Sequence, residues 1–207
     1  YYLLFTTYYG RYGHAQTVCW MQSELPKGFK FESFTDEKTG ETRTPAQTYE
    51  DSGWCFVEAA ISAAIKPAVQ RLDLAKRTRN AMGLDGGYGP DEPLNTSYRL
   101  THACMRGRPP PPSPERVAHL LETEKQFTNK SDTGKVAQLY AAFFGEIVKV
   151  ESLHFSRVEW GDKEAIEMAE VLPRFPALTS LDLSWNKIGA EGWKAIGESL
   201  RVHGSLT

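Results

Sequence analysis

The residue types best suited to chemistry gather in one short run that holds Tyr49, Ser52, Trp54, Cys55 and Glu58. Trp54 and Glu58 are four positions apart, which on a helix makes them neighbours on one side. A carboxylate one turn into a helix, beside an indole and near the end of a strand, stands where α/β folds form their sites. Glu58, with Trp54 beside it, is therefore a candidate site residue. The alternative is a structural carboxylate packed on the indole.

Other reactive groups form weaker patterns. Cys19 and Cys55 could join His14 around a metal, but no CxxC and no paired-histidine spacing exists, so free buried thiols are the better reading. Cys104 beside His102 is weaker again, and no metal site or cofactor is expected from these residues. The five histidines (His14, His102, His119, His154, His203) show no Ser/His/Asp order. Gly83, Gly86, Gly87 and Gly89 lack the preceding strand and following helix that a phosphate cradle needs, and read as a loop. Arg106, Pro109 and Pro112 fit the RxxPxxP form that polyproline-reading domains bind. The four consecutive prolines Pro109, Pro110, Pro111 and Pro112 would equally make an extended spacer. Ser113-Pro114 could accept a phosphate at a helix start.

The chain has 207 residues with 24 Lys plus Arg and 26 Asp plus Glu, a net charge of −2. Near-neutral charge argues against a generic electrostatic nucleic-acid binder and a polybasic membrane-surface protein. The longest apolar-leaning run, residues 1–9, is far short of the roughly 20 needed for a membrane span. Nor does it have the basic start and small-residue cleavage site of a signal peptide. With three cysteines no disulfide framework is expected, which favours a reducing, cytoplasmic setting. The first residue is Tyr1, and the last residues fall inside what reads as a repeat, so a fragment is expected.

These groups must be positioned by a small set of elements. Residues 15–21 read as a strand, residues 27–48 as a polar excursion with a small hairpin near 29–34 and a turn at Thr39-Gly40. An alanine-rich helix follows, capped by Asp51 or Ser52, with Val57, Ile61, Ala64 and Ile65 on its apolar face and Pro67 as its stop. Beyond the prolines, Ser113, Pro114 and Glu115 spell a helix start. From Ser131-Asp132 a second helix carries Val136, Leu139, Tyr140, Phe143, Phe144 and Ile147 as an apolar stripe.

Behind them lies a repeat. Leu178, Leu181, Leu183, Asn186, Ile188 and Gly189 follow the spacing LxxLxLxxNxIG, and Val150, Leu153, Phe155, Val158, Trp160 and Gly161 stand 28 residues earlier. The strand period of two turns Leu181 and Leu183 inward and Asp182 outward. Asn186 is placed to bond backbone groups of the following turn. Helices are expected after each strand, with Ile166, Ala169 and Leu172 inward in the first and Trp193, Ile196, Gly197 and Leu200 in the second. Trp160 aligns with Ile188 and reads as core, whereas Trp185 is open to either role.

This spacing resembles the leucine-rich repeats of the ribonuclease-inhibitor type. The resemblance implies a protein-binding strand face, here Ser152, His154, Ser156, Ser180, Asp182 and Ser184, with Trp185 beside it. Val158 in place of the asparagine marks the first repeat as a terminal cap, which the preceding helix would seal. The pattern Tyr49, Ser52, Trp54, Cys55, Glu58 is similar to a segment of TIR domains, and Tyr12, Ala15, Val18, Trp20 to the related heterokaryon-incompatibility (HET) domains. Multidomain algal proteins that carry such a unit beside repeats look most alike. In NAD-cleaving TIR members the glutamate four after the tryptophan is catalytic, which would make Glu58 that residue and NAD the substrate.

The resulting expectation is an α/β chain in four parts. A partial TIR/HET-like unit occupies residues 1–105, a proline-rich hinge 106–114, a helical cap 115–149, and the start of a leucine-rich-repeat solenoid 150–207. The expected function is protein recognition within an intracellular signalling or defence-like protein. The alternatives are a NAD glycohydrolase using Glu58 and a scaffold that binds nothing.

Overall fold

The computed structural model describes residues 17–24, 27–37, 39–76, 104 and 107–203. His14, His102, the glycine-rich run 83–89 and Arg106 lie outside the described residues, as do Tyr12 and Ala15 of the HET-like pattern.

Strand β1 (Cys19–Met21) pairs in parallel with β4 (Arg71–Asp73), and helix α1 (Gly53–Ile65) lies on the connection between them. Parallel neighbours require such a crossover. The excursion ahead of α1 holds an antiparallel hairpin of β2 (Phe34–Thr35) and β3 (Thr42–Arg43). Its turn is the expected Thr39-Gly40, with Gly40 at φ 69°. The ladder starts at Phe34, however, and residues 29–33 precede it. Phe29 and Phe31 meet there edge to face, with ring centroids 5.2 Å apart.

Helix α1 starts as its sequence suggests, with the Ser52 hydroxyl accepting from the Cys55 amide. Ala60, Ser62, Ala63 and Ala64 are buried because their small side chains let neighbours approach on several sides, and Ile61 is buried with them on the apolar face. One neighbour is the loop after the next helix. The Gly53 amide donates to the Gln126 carbonyl at 3.0 Å, and the Gln126 amide returns a bond to Asp51 at 2.7 Å. A Cβ on Gly53 would lie 2.1 Å from the Phe127 ring. Gly53→Ala is therefore expected to lower stability by about 1–3 kcal/mol through overpacking. A urea-unfolding midpoint equal to that of the parent would show that Phe127 swings aside without cost.

Strand β4 has no counterpart in the sequence reading, since its alternate residues Arg71 and Asp73 are charged. Both are buried, as is Lys66. Buried charge is tolerated where it is hydrogen-bonded. The Arg71 guanidinium donates to the Ser62 hydroxyl at 3.0 Å, the Ala59 carbonyl at 3.1 Å and the Gly107 carbonyl. The Asp73 carboxylate accepts from the Ser23 hydroxyl at 2.8 and 2.7 Å. Lys66 donates to the Thr17 carbonyl and hydroxyl, each at 2.8 Å, and burial lowers its pKa.

The proline run is packed in place and does not stand free as a spacer. Pro110 and Pro111 are buried and Pro109 is exposed. The Pro112 carbonyl accepts from the Tyr140 hydroxyl at 2.7 Å. Burial pushes that phenol's pKa well up, so it remains a donor. Helices α2 (Pro114–Thr123) and α3 (Asp132–Ile147) follow as expected. The Ser113 hydroxyl caps α2 by accepting from the Arg116 amide, and Val136, Tyr140, Phe144 and Ile147 of α3 are buried. Phe144 meets Phe175 at 6.0 Å, which carries the cap onto the repeats. One apolar core thus runs from Val57 and Ile61 of α1 through Val117, Leu121 and Tyr140 to Leu153, Met168 and Ile196.

The repeats comprise β5 (Ser152–His154), α4 (Asp162–Val171), β6 (Ser180–Asp182) and α5 (Ala190–His203). The strands pair in parallel, Ser152 with Ser180, Leu153 with Leu181 and His154 with Asp182, the offset of 28 seen in the sequence. The helices are rotated from the expected faces. Ala165, Met168 and Val171 are buried with Leu172, while Ile166 is exposed; in α5 Ile196 is buried, while Trp193 and Gly197 are exposed. The cause is a close approach at the helix starts. One oxygen of the Asp162 carboxylate accepts from the amides of Gly189 (2.7 Å) and Gly192 (2.9 Å), an anion set against a helix N-terminus. At Gly192 a Cβ would fall 2.8 Å from that oxygen and 2.9 Å from the Ala165 Cβ, so this side of α5 must face inward.

Candidate functional site

Among the described residues, two places are candidate binding surfaces: the outward face of the repeat strands, and a cleft at the start of α1. The strand face is built by alternation. Leu153 and Leu183 point into the core and Leu181 packs against it, while Ser152, His154, Ser180 and Ser184 are exposed and Ser156 and Asp182 half-buried. Asp182 accepts from the Ser184 amide at 2.9 Å, and the Ser184 bonds hold its carboxyl below the usual range. Ser152, His154, Ser180 and Asp182 thus lie in the paired strands, and Ser156 and Ser184 follow in the turns after them.

Equivalent positions stack from repeat to repeat. Arg157 and Trp185 are 28 apart and both adopt the left-handed conformation, at φ 55° and 58°. Non-glycine residues rarely sit there, and when they do the position often serves binding. The Arg157 guanidinium lies 5.2 Å over the Trp185 ring, a cation–π contact, and Trp185 is 77% exposed. Glu159, also left-handed at φ 62°, meets Lys187 at 3.8 Å. Trp160 by contrast is core: it stacks on Phe155 at 4.5 Å and donates its indole N–H to the Arg108 carbonyl at 2.6 Å.

Asn186 joins the two turns. Its amide NH2 donates to the carbonyls of Phe155 (2.7 Å) and Leu183 (2.9 Å), and its oxygen accepts from the amides of Val158 and Trp160, both at 3.1 Å. Most of these partners belong to the preceding repeat. The first repeat has Val158 at the matching position because a different group meets its outer side. Arg108 donates to the His154 carbonyl at 2.8 Å and to the Ala63 and Ala64 carbonyls at the end of α1, at 2.9 and 3.2 Å. Its guanidinium also lies 4.7 Å over the Phe155 ring. Burial draws its pKa down to about 10, which still leaves it charged at neutral pH.

A family model described as Leucine Rich repeat matches residues 176–197. The matched residues contain β6 and the beginning of α5, so the segment is a leucine-rich repeat, and such a repeat suggests a protein-interaction module. No curated protein and no solved structure matches the chain.

The second place is a cleft of about 420 Å³ where the end of β1, the excursion, the start of α1 and the loop between α2 and α3 converge. Phe31, Tyr49, Trp54 and Phe127 contribute aromatic groups, and Asp132 supplies the one charged side chain among its lining residues. The Trp54 indole N–H donates to Asp132 at 3.4 Å. Trp54 and Cys55 thus lie on the cleft, whereas Glu58, one turn along, is half-buried and not among the residues that line it. Burial pushes the Cys55 and Cys19 thiols up, away from the reactive thiolate. The long-range contacts of Asp132, Phe127 and Arg108 are not legible in the sequence because no local pattern links them to their partners. Among the described residues no cluster of three or more His, Cys, Asp or Glu could hold a metal, and no helix is long and apolar enough to cross a membrane.

Proposed function

We propose that the chain binds a protein partner across the strand face of its repeats, through Ser152, His154, Ser156, Ser180, Asp182 and Ser184, with Trp185 as the anchor. The observation that carries this reading is Trp185 itself: a 77% exposed indole held in a left-handed turn under an arginine at the end of a polar strand face. Aromatic residues of this kind dominate interface energetics. The 28-residue strand-and-helix unit supports the ribonuclease-inhibitor type of repeat. The signalling or defence-like setting rests on the resemblance of the first half.

A photo-reactive phenylalanine analogue at position 154 or 184 should yield a partner adduct, and the same group at 166 on the helix side should not. Once the partner is identified, Trp185→Ala should weaken binding roughly 30-fold. Equal adducts at all three positions, or a change under about twofold, would remove this face from the interaction.

A further inference from the structure

We propose that the cleft at the start of α1 is a binding site for an organic ammonium group, a quaternary or methylated amine held between aromatic side chains and the Asp132 carboxylate. The volume of about 420 Å³ lies in the range of small-molecule sites. Its composition is selective. Phe31, Tyr49, Trp54 and Phe127 supply four aromatic groups, and Asp132 is the one charged side chain among the described residues that line it. Aromatic rings attract cations through their quadrupole, most strongly when the cation has shed its water, which alkylated amines do readily. Phosphate-bearing ligands, by contrast, are favoured by basic side chains, and none stands among the described lining residues.

The carboxylate already shows its preference. The Lys135 ammonium stands 3.7 Å from one Asp132 oxygen, with its own side chain 68% exposed. Such an exposed pair contributes little, so a better-desolvated cation can replace it. The other oxygen accepts from the Trp54 indole N–H, which orients the carboxylate and the ring together. The walls are pre-organised. Reciprocal backbone bonds between residues 51–53 and Gln126, and the close approach of Phe127 to Gly53, fix the α2–α3 loop against α1. Lys125 ties the same loop down by donating to the Glu50 carbonyl at 2.9 Å. A site fixed before binding loses less entropy on binding.

The test is calorimetric titration of the full 207-residue chain with choline, with its uncharged isostere 3,3-dimethylbutanol, with adenosine monophosphate, and with a short peptide carrying trimethyl-lysine. Choline should bind at least about 10-fold more tightly than the isostere. Asp132→Asn and Trp54→Phe should each weaken it several-fold while the melting temperature changes little. Tyr49→Ala serves as a second variant should Trp54→Phe unfold. A peptide that binds more tightly than choline would assign the ammonium to a modified protein, and equal affinities to a free amine. The proposal fails if the isostere matches choline, if the nucleotide binds more tightly than either cation, or if no cation saturates the folded chain by about 10 mM.

Discussion

Asn186→Ala is expected to lower the unfolding free energy by about 3–4 kcal/mol, the largest effect of any single truncation on the repeat face. Asn186 makes four hydrogen bonds, to the carbonyls of Phe155 and Leu183 and from the amides of Val158 and Trp160. Phe155 is fully buried and Trp160 nearly so, so water reaches these backbone groups poorly once the amide is gone. Each buried group left without a partner costs about 1–3 kcal/mol. Asn186→Asp separates the two halves of the interaction. It keeps an oxygen for the two amides but sets a carboxylate against the two carbonyls, so it should be nearly as damaging as alanine. Urea unfolding followed by tryptophan fluorescence measures both. A loss below about 1 kcal/mol for alanine would mean that the turn opens to solvent and satisfies itself there.

Arg108→Met should cost about 3 kcal/mol, for a different reason. The guanidinium fork spans two elements, donating to Ala63 and Ala64 at the end of α1 and to His154 in the first repeat strand. Charge-assisted bonds of this kind contribute more than neutral ones, and their loss strands the part-buried carbonyls of Ala63 and Ala64. The Arg108 backbone carbonyl still accepts from Trp160 in the variant, so the measurement isolates the side chain. Arg108→Lys should recover only part of the loss, since an ammonium cannot present the planar fork. A double-mutant cycle with Phe155→Leu should return a coupling of about 1 kcal/mol for the cation–π contact. Stability unchanged in Arg108→Met would mean that α1 and the first repeat are joined by apolar packing alone.

The repeats were largely legible because their signals are local and periodic. Leu153 and Leu181 announce paired strands by spacing, and the 28-residue offset sets their register. Ser113-Pro114 and Ser52 announce helix starts because a cap is a contact within one turn. The inward faces of α4 and α5 were misplaced by a position, since Asp162 and Gly192 settle that rotation through a contact between repeats. The proline run reads as an extended spacer because composition reports what a segment prefers alone and not what packs on it. Pro110 and Pro111 are buried, and Tyr140, 28 residues beyond Pro112, bonds the Pro112 carbonyl. Strand β4 was missed because Arg71 and Asp73 look like surface residues until Ser62, Ala59, Gly107 and Ser23 are seen to satisfy them.

The two candidate sites divide in the same way. The strand residues Ser152, His154, Ser180 and Asp182 follow from alternation, a property of the backbone that the sequence alone determines. Trp54 and Glu58 were rightly placed on one helix, but only the tertiary structure put Trp54 on a cleft and left Glu58 off its lining. Asp132 lies 78 residues from Trp54, and no periodicity spans such a distance. Side-chain direction along a strand or helix is set within a few bonds, so sequence carries it. Which distant side chains meet is set by how whole elements pack, and only the folded chain decides that.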